Sequence, residues 1–402
     1  MSTRDLDFLF PIDCPEAGYS SNSKGQTLTL HTRLLSEPFR LFFPLGMVLG
    51  FIGVSHWGWY YSGVIDTYSC NYHGLMLIQG FEAAFVVGFT MTAFPRFTET
   101  VTARAIEVWP SALTLMLSAW LLREQHWSLA EVAFILLYIQ LFLFWLRRYL
   151  KRQDDPPAAF SLVPIGIGLG VLGAVLVIYP IAGFVKLGHR LIEQGSMLCF
   201  LLAFGSHLGP RLISGPSAET TEPGVSGRFF VAIGLVLGLS FFVEAGVNEP
   251  AGRLLRAIAL TVAGLKTWPI GTRPGLRRFS AWVMRMGFWS LILGQWLSGL
   301  FPDYEIVALH FTFLGGFATL TFVISIRVIA AHCGPETMWS GRARALKWIG
   351  ILMVVTLVCR VISDFIDWYY FGMLHVAAGF WMLAVIIWFI VYVPKLSHST
   401  DE

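Results

Sequence analysis

Long apolar blocks, separated by charged or Pro/Gly-rich breaks, organise this chain from about residue 38 to 396. A helix rises about 1.5 Å per residue, so about 20 apolar residues cross a bilayer core. Twelve blocks approach that length: 38–57, 73–94, 107–122, 127–146, 159–184, 189–208, 228–244, 253–271, 280–301, 305–331, 345–364 and 372–394. The eighth carries Arg256 and Lys266. Strands of a membrane barrel would alternate apolar and polar residues, and these blocks do not. The pattern therefore predicts an all-α, polytopic helical membrane protein of about twelve transmembrane helices.

Composition agrees: 55% of residues are hydrophobic, 13% are charged, and the mean hydropathy is +0.65. Soluble domains carry about 25% charged residues, so an ordinary soluble enzyme is excluded. A net charge of +3 gives no reason to expect a nucleic-acid partner. Five cysteines (Cys14, Cys70, Cys199, Cys333, Cys359) show no CxxC or CxxCH spacing, which argues against a zinc ribbon, a disulfide framework or covalent haem attachment. No basic stretch leads into a short apolar run near the start, so the first span is expected to direct insertion.

Loop charge sets the orientation. The even-numbered loops carry Arg96 and Arg104; Arg147, Arg148, Lys151 and Arg152; Arg211 and Arg228; Lys266, Arg273, Arg277 and Arg278; and Arg327, Arg342, Arg344 and Lys347. The odd-numbered loops carry only Arg123, Lys186, Arg190 and Arg253. The positive-inside rule then puts both termini in the cytoplasm, as an even number of spans requires. A cytoplasmic segment (1–37), one twelve-helix bundle (38–396) and a short cytoplasmic tail (397–402) follow. Trp57, Trp59, Tyr60, Tyr61, Tyr68 and Tyr72 form an aromatic belt at the first outer loop. No loop is long enough for a soluble domain, so function lies within the bundle. No repeat is evident between the two halves of the chain.

Ionisable residues inside a bilayer are costly and are candidates for function. With this orientation His56, His73, His189, His310 and His375 all fall near the outer surface. Neutral imidazoles at matched depth on facing helices hold haem, and they also suit copper. His73 and His310 are the leading candidates, with His375 or His56 as further ligands. Gly74, Gly80 and Gly88 thin the helix after His73, and Gly315 and Gly316 follow His310, so a flat group or another helix can approach closely. The alternative is that these histidines only make interfacial hydrogen bonds and the glycines only pack helices. At the inner end, His207 with Arg211 and Arg327 with His332 offer propionate partners for a haem, or simply obey the positive-inside rule. Glu82, Glu131, Glu193 and Glu244 lie within spans. Arg285 and Arg360 are candidate partners, and Asp364 lies one turn from Arg360. Glu82 either belongs to a proton path toward an outer metal or pairs with Arg285.

Several strings resemble the NnrS family. They are Phe39-Arg40-Leu41-Phe42-Phe43, Tyr72-His73, Arg211-Leu212-Ile213, Ala308-Leu309-His310 with Gly315, Arg327 through His332-Cys333-Gly334, Trp381-Met382-Leu383-Ala384, and Tyr392-Val393-Pro394-Lys395-Leu396. The resemblance implies a haem- and copper-containing bacterial inner-membrane protein linked to nitric oxide and nitrosative stress. By position, His73 matches the first histidine of the family's His-Ala-His-Glu-Met stretch, and His310 and His332 match the two later histidines. The family's second histidine is Leu75 here and its glutamate is Met76. That departure bears on copper more than on haem of the b type.

Three functions compete. A haem protein would bind or metabolise nitric oxide, or another small diatomic ligand, with Arg327 or Arg211 holding propionates. A quinol or an electron-donor protein would then supply electrons. A proton-coupled secondary transporter would use Glu82, Glu193 and Arg285, with the Gly/Pro-rich fifth span as its mobile helix. A haem or copper assembly factor for a respiratory complex would hold its cofactor loosely.

Overall fold

A computed structural model of the chain describes residues 30–180, 183–214, 225–270, 279–333 and 343–397. Residues 1–29 and 398–402, with Cys14, Arg273, Arg277, Arg278, Gly334 and Arg342, lie outside the described residues. A short helix, Leu30–Ser36, precedes twelve long ones. These are α1 (Phe39–Tyr61), α2 (Cys70–Phe97), α3 (Ala105–Arg123), α4 (Trp127–Leu150), α5 (Ala158–Ile178), α6 (Val185–Ser214), α7 (Gly227–Gly246), α8 (Glu249–Thr267), α9 (Phe279–Leu300), α10 (Pro302–His332), α11 (Ala343–Ser363) and α12 (Asp367–Ser397). Ten are long and apolar enough to cross a membrane; α8 and α9 are the other two. Helix α8 carries Arg253, Arg256 and Lys266, which lower its hydropathy.

The ends are set locally. At α2, the Ser69 hydroxyl accepts from the Tyr72 amide at 3.2 Å; at α8, Asn248 accepts from the Ala251 amide at 2.9 Å. Glu107 accepts from the Arg104 amide at the start of α3 and pairs with Arg148 of α4 at 2.8 Å.

Three helices form the centre. Within their most apolar windows, α2 and α6 are 89% buried and α10 is 72% buried, against 50% or less for the other spans. The same three contain π-helical turns, at Met76–Glu82, Leu191–Ser196 and Phe311–Ala318. A histidine stands just before each: His73, His189 and His310. Each central helix packs on a glycine-thinned partner. A Cβ on Gly50 would sit 3.0 Å from Phe81, one on Gly173 2.9 Å from Ile192, and one on Gly294 2.4 Å from Thr312. Two-helix hairpins α3–α4, α7–α8 and α11–α12 complete three units of four helices.

The first two units also share sequence strings. Pro44-Leu45-Gly46…Gly50…Gly53 in α1 recurs as Pro164-Ile165-Gly166…Gly170…Gly173 in α5. Gln79-Gly80 and Pro95-Arg96 of α2 recur as Gln194-Gly195 and Pro210-Arg211 of α6. The third unit keeps the architecture and has lost most of these residues.

A buried ionic cluster ties the second unit to the third. Glu244 is bonded by Arg190, Arg253 and Arg256, all three arginines being nearly inaccessible. Arg190 and Arg253 also reach Glu305 at 2.5 and 2.8 Å, and Arg253 meets Glu249 at 3.1 Å. Arg256 continues to Gln194 at 3.1 Å and Gln295 at 3.3 Å, and Gln295 donates to Thr312 at 3.0 Å. Half-exposed Glu249 is also bonded by Lys186 at 2.7 Å, so the cluster's edge reaches the surface while each buried arginine keeps a carboxylate partner, which buried charges require.

Candidate functional site

A cavity of about 360 Å³ opens among α1, α2, α6, α10, α11 and α12 in the half that loop charge assigns to the outer side. His73 and His310 both line it. The His73 Nδ1–H donates to the Gly53 carbonyl at 3.0 Å, and the His310 Nδ1–H donates to the Ile306 carbonyl at 2.7 Å. These bonds fix both rings and make Nε2 the lone-pair nitrogen in each, the arrangement found behind metal-bound imidazoles. Close approach at the thin face of α1 is what puts a carbonyl of Gly53 within reach of His73. The Arg360 Nε–H donates to His310 Nε2 at 3.3 Å, while its Nη1 bonds Asp364 at 2.5 Å and Ser363 at 2.9 Å. The expected pair of Arg360 with Asp364 is present.

Aromatic rings supply the walls, among them Trp57, Tyr68, Phe81, Phe313, Tyr370 and Trp381. Tyr68 stacks on Trp57 at 3.5 Å in the first outer loop, and burial pushes its hydroxyl well above the ordinary tyrosine range. Two carboxylates join the histidines. Glu193 lines the cavity from the α6 π turn, and its Oε1 would lie 3.5 Å from a Cβ on Gly74. Glu82 forms the floor and accepts from the Thr321 hydroxyl at 2.8 Å. Arg285 is elsewhere, donating to the Ile270 carbonyl at 2.6 Å, so the expected pairing with Glu82 is replaced by a neutral donor. Glu131 is also buried outside the cavity, where the Gln79 amide nitrogen lies 2.8 Å from both its oxygens.

The remaining candidates are not in the cavity lining. His375 stacks on Tyr61 at 4.7 Å, and His56 accepts from the Ser69 amide at 3.1 Å beside Tyr68 and Tyr72. His189 precedes the α6 π turn. At the opposite end, His332 lies against Phe39 and bonds Arg96 at 2.5 Å, and Arg96 pairs with Glu37 at 3.0 Å. Arg40 bonds the same glutamate and reaches the Cys333 sulfur at 3.7 Å. His207 packs edge-on against Phe97 at 4.8 Å, and its buried Nε2 has no hydrogen-bond partner among the described residues. Arg211 and Arg327 lie toward the ends of α6 and α10 away from the cavity. The sequence reading thus joined His73 to His310 but missed Arg360 and Glu193 as their neighbours, and Arg96 as the partner of His332. Pro95-Arg96 and its copy Pro210-Arg211 were the available signal for Arg96.

The family model described as "NnrS protein" matches residues 33–399, nearly the whole chain. The chain belongs to the NnrS family. His73 and His310, which line the cavity, lie within the matched span. No curated protein matches this family member.

The cavity's donors and walls can be set against the needs of each cofactor. Two anchored histidines across an apolar, aromatic-walled cavity fit a haem, whose iron takes axial imidazole and whose macrocycle needs flat apolar walls. The volume lies within the roughly 300–1,000 Å³ of small-molecule sites. Among the described residues no group of three or more His, Cys, Asp or Glu is placed to hold a metal ion. Leu75 and Met76, which follow His73 on the same helix, are apolar and buried.

Proposed function

We propose that this NnrS-family protein holds a b-type haem in the outer cavity and binds nitric oxide there, within the nitric-oxide response to which its family belongs. The observation that carries the reading is the pair of histidines, each with Nδ1 anchored to a backbone carbonyl and Nε2 left as the lone-pair nitrogen. His73 and His310 would hold the haem iron, and Arg360, which donates to His310 Nε2, would turn to a propionate when that nitrogen binds iron. Bound haem would supply an iron that takes diatomic ligands. The protein's own residues fix the imidazoles, exclude water with aromatic walls and keep two carboxylates, Glu82 and Glu193, at the cavity edge. Haem alone, without copper, suits this donor set. The bilayer inner membrane of a bacterium, twelve spans and cytoplasmic termini complete the proposal, with electrons drawn from a quinol or a donor protein.

The test is the visible spectrum of the purified protein, oxidised and reduced, with metal analysis. Stoichiometric haem that shifts on adding nitric oxide, and is lost in His73→Ala or His310→Ala with the fold retained, supports the reading. A folded, colourless, metal-free wild-type protein refutes it. In that event the transporter gains, because Glu82 and Glu193 already face one cavity.

A further inference from the structure

Below the histidine cavity lies a second hollow, about 60 Å³, between the central helices α2, α6 and α10. Its walls are almost wholly apolar, with Phe43, Phe85, Phe89, Phe200, Phe204 and Leu320 among them. Glu82 and Phe317 line both spaces. These two side chains form the septum, and each comes from a π-helical turn, Glu82 closing that of α2 and Phe317 lying in that of α10. π turns are the irregular points of a helix and recur at functional sites.

We propose that this hollow is a docking site for a small apolar gas molecule, joined to the histidine cavity through the Glu82–Phe317 septum. Size and surface choose the occupant. The volume is a sixth of the upper cavity's, far too small for a macrocycle, yet above the roughly 10–15 Å³ that one water needs. Water has little to bond: the polar lining residues are Glu82 and Thr321, and they already bond each other. Apolar cavities with few polar partners stay dry and accept xenon or small hydrocarbons. Apolar gases also concentrate in the bilayer interior at this depth, so the hollow would fill from the membrane side. Phe317 then acts as a positioning residue: its rotation joins the two spaces, while the Glu82–Thr321 bond holds the other half of the septum in place.

The gas's identity as nitric oxide rests on the haem reading, but the site itself does not, and xenon separates the two. Xenon-pressurised crystals of the whole wild-type protein, or xenon-129 NMR in detergent, should place one xenon between Glu82 and Phe204. Leu201→Trp, on the half-buried wall, should abolish it. A hollow filled by ordered water, or one empty while xenon occupies other sites, overturns the proposal. In haem-loaded protein, Phe317→Leu should raise the nitric-oxide association rate several-fold with the visible spectrum unchanged; an unchanged rate overturns the septum's role and leaves the haem reading intact. A colourless protein that still binds xenon in the hollow overturns the haem reading and supports the dock.

Discussion

Gly294→Ala is the most demanding test of how the cavity is held. Gly294 is not in the cavity, yet a Cβ there would sit 2.4 Å from the Thr312 hydroxyl, and 2.7 Å from both the Ala308 carbonyl oxygen and the Thr312 amide nitrogen. The hydroxyl can rotate away, but the two backbone atoms cannot. Relief requires α9 and α10 to part by several tenths of an ångström beside His310. Overpacking of this kind costs about 1–3 kcal/mol, offset by the roughly 0.5–1 kcal/mol that alanine gains over glycine in a helix. The net expectation is a loss of about 1–2 kcal/mol. Gly168→Ala and Gly379→Ala are the controls, since a Cβ at either meets nothing within 4 Å. Melting of the detergent-purified proteins, followed by fluorescence-detected size exclusion, is the assay. Gly294→Ala should melt several degrees below both controls and retain less haem on extraction. If it matches or exceeds them in melting temperature, the close contact of α9 with the π turn of α10 is wrong.

Other outcomes follow from the same contacts. Glu244→Ala leaves Arg190, Arg253 and Arg256 without their shared carboxylate. Breaking a buried pair costs about 3–5 kcal/mol, so folded yield should collapse, and normal yield and melting would show that the cluster is not structural. Arg360→Ala removes the donor to His310 while leaving both Nδ1 anchors; haem should titrate in with weaker affinity in reconstitution, and unchanged affinity would remove Arg360 from the site. Glu82→Gln keeps an acceptor for Thr321 and should leave the visible spectrum of the protein alone, whereas proteoliposome uptake abolished by this change would favour a transporter.

The helices were legible because a bilayer imposes one length and one polarity on every span. Even α8 was readable as a helix, though its Arg253 and Arg256 belong to the buried cluster. Arg190 and Arg253 illustrate the limit. Loop-charge counting assigned both to the outer surface, and the structure folds them inward onto Glu244 and Glu305, because a charge near a span end can turn either way and only its partners decide. His73 and His310 were joined by depth alone, a one-dimensional coordinate that sequence supplies. Azimuth, which excludes His375 and admits Glu193 and Arg360, depends on helix rotation and on π turns that no residue pattern marks. Comparing halves hid the repeat, because the period is a third of the chain and the Pro44 and Pro164 strings fall in the first and second thirds.

The repeat has a consequence for how such a protein arises. A block of four crossings returns the polypeptide to the side it left, so copies fused head to tail insert in the same sense without reversing their topology signals. Duplicated blocks with an odd number of crossings insert upside down and set their symmetry axis in the membrane plane. Here all three copies contribute to the lining of the cavity. No single copy encloses it. Each copy presents a different side chain to it: the first His73, the next Glu193 and the last His310.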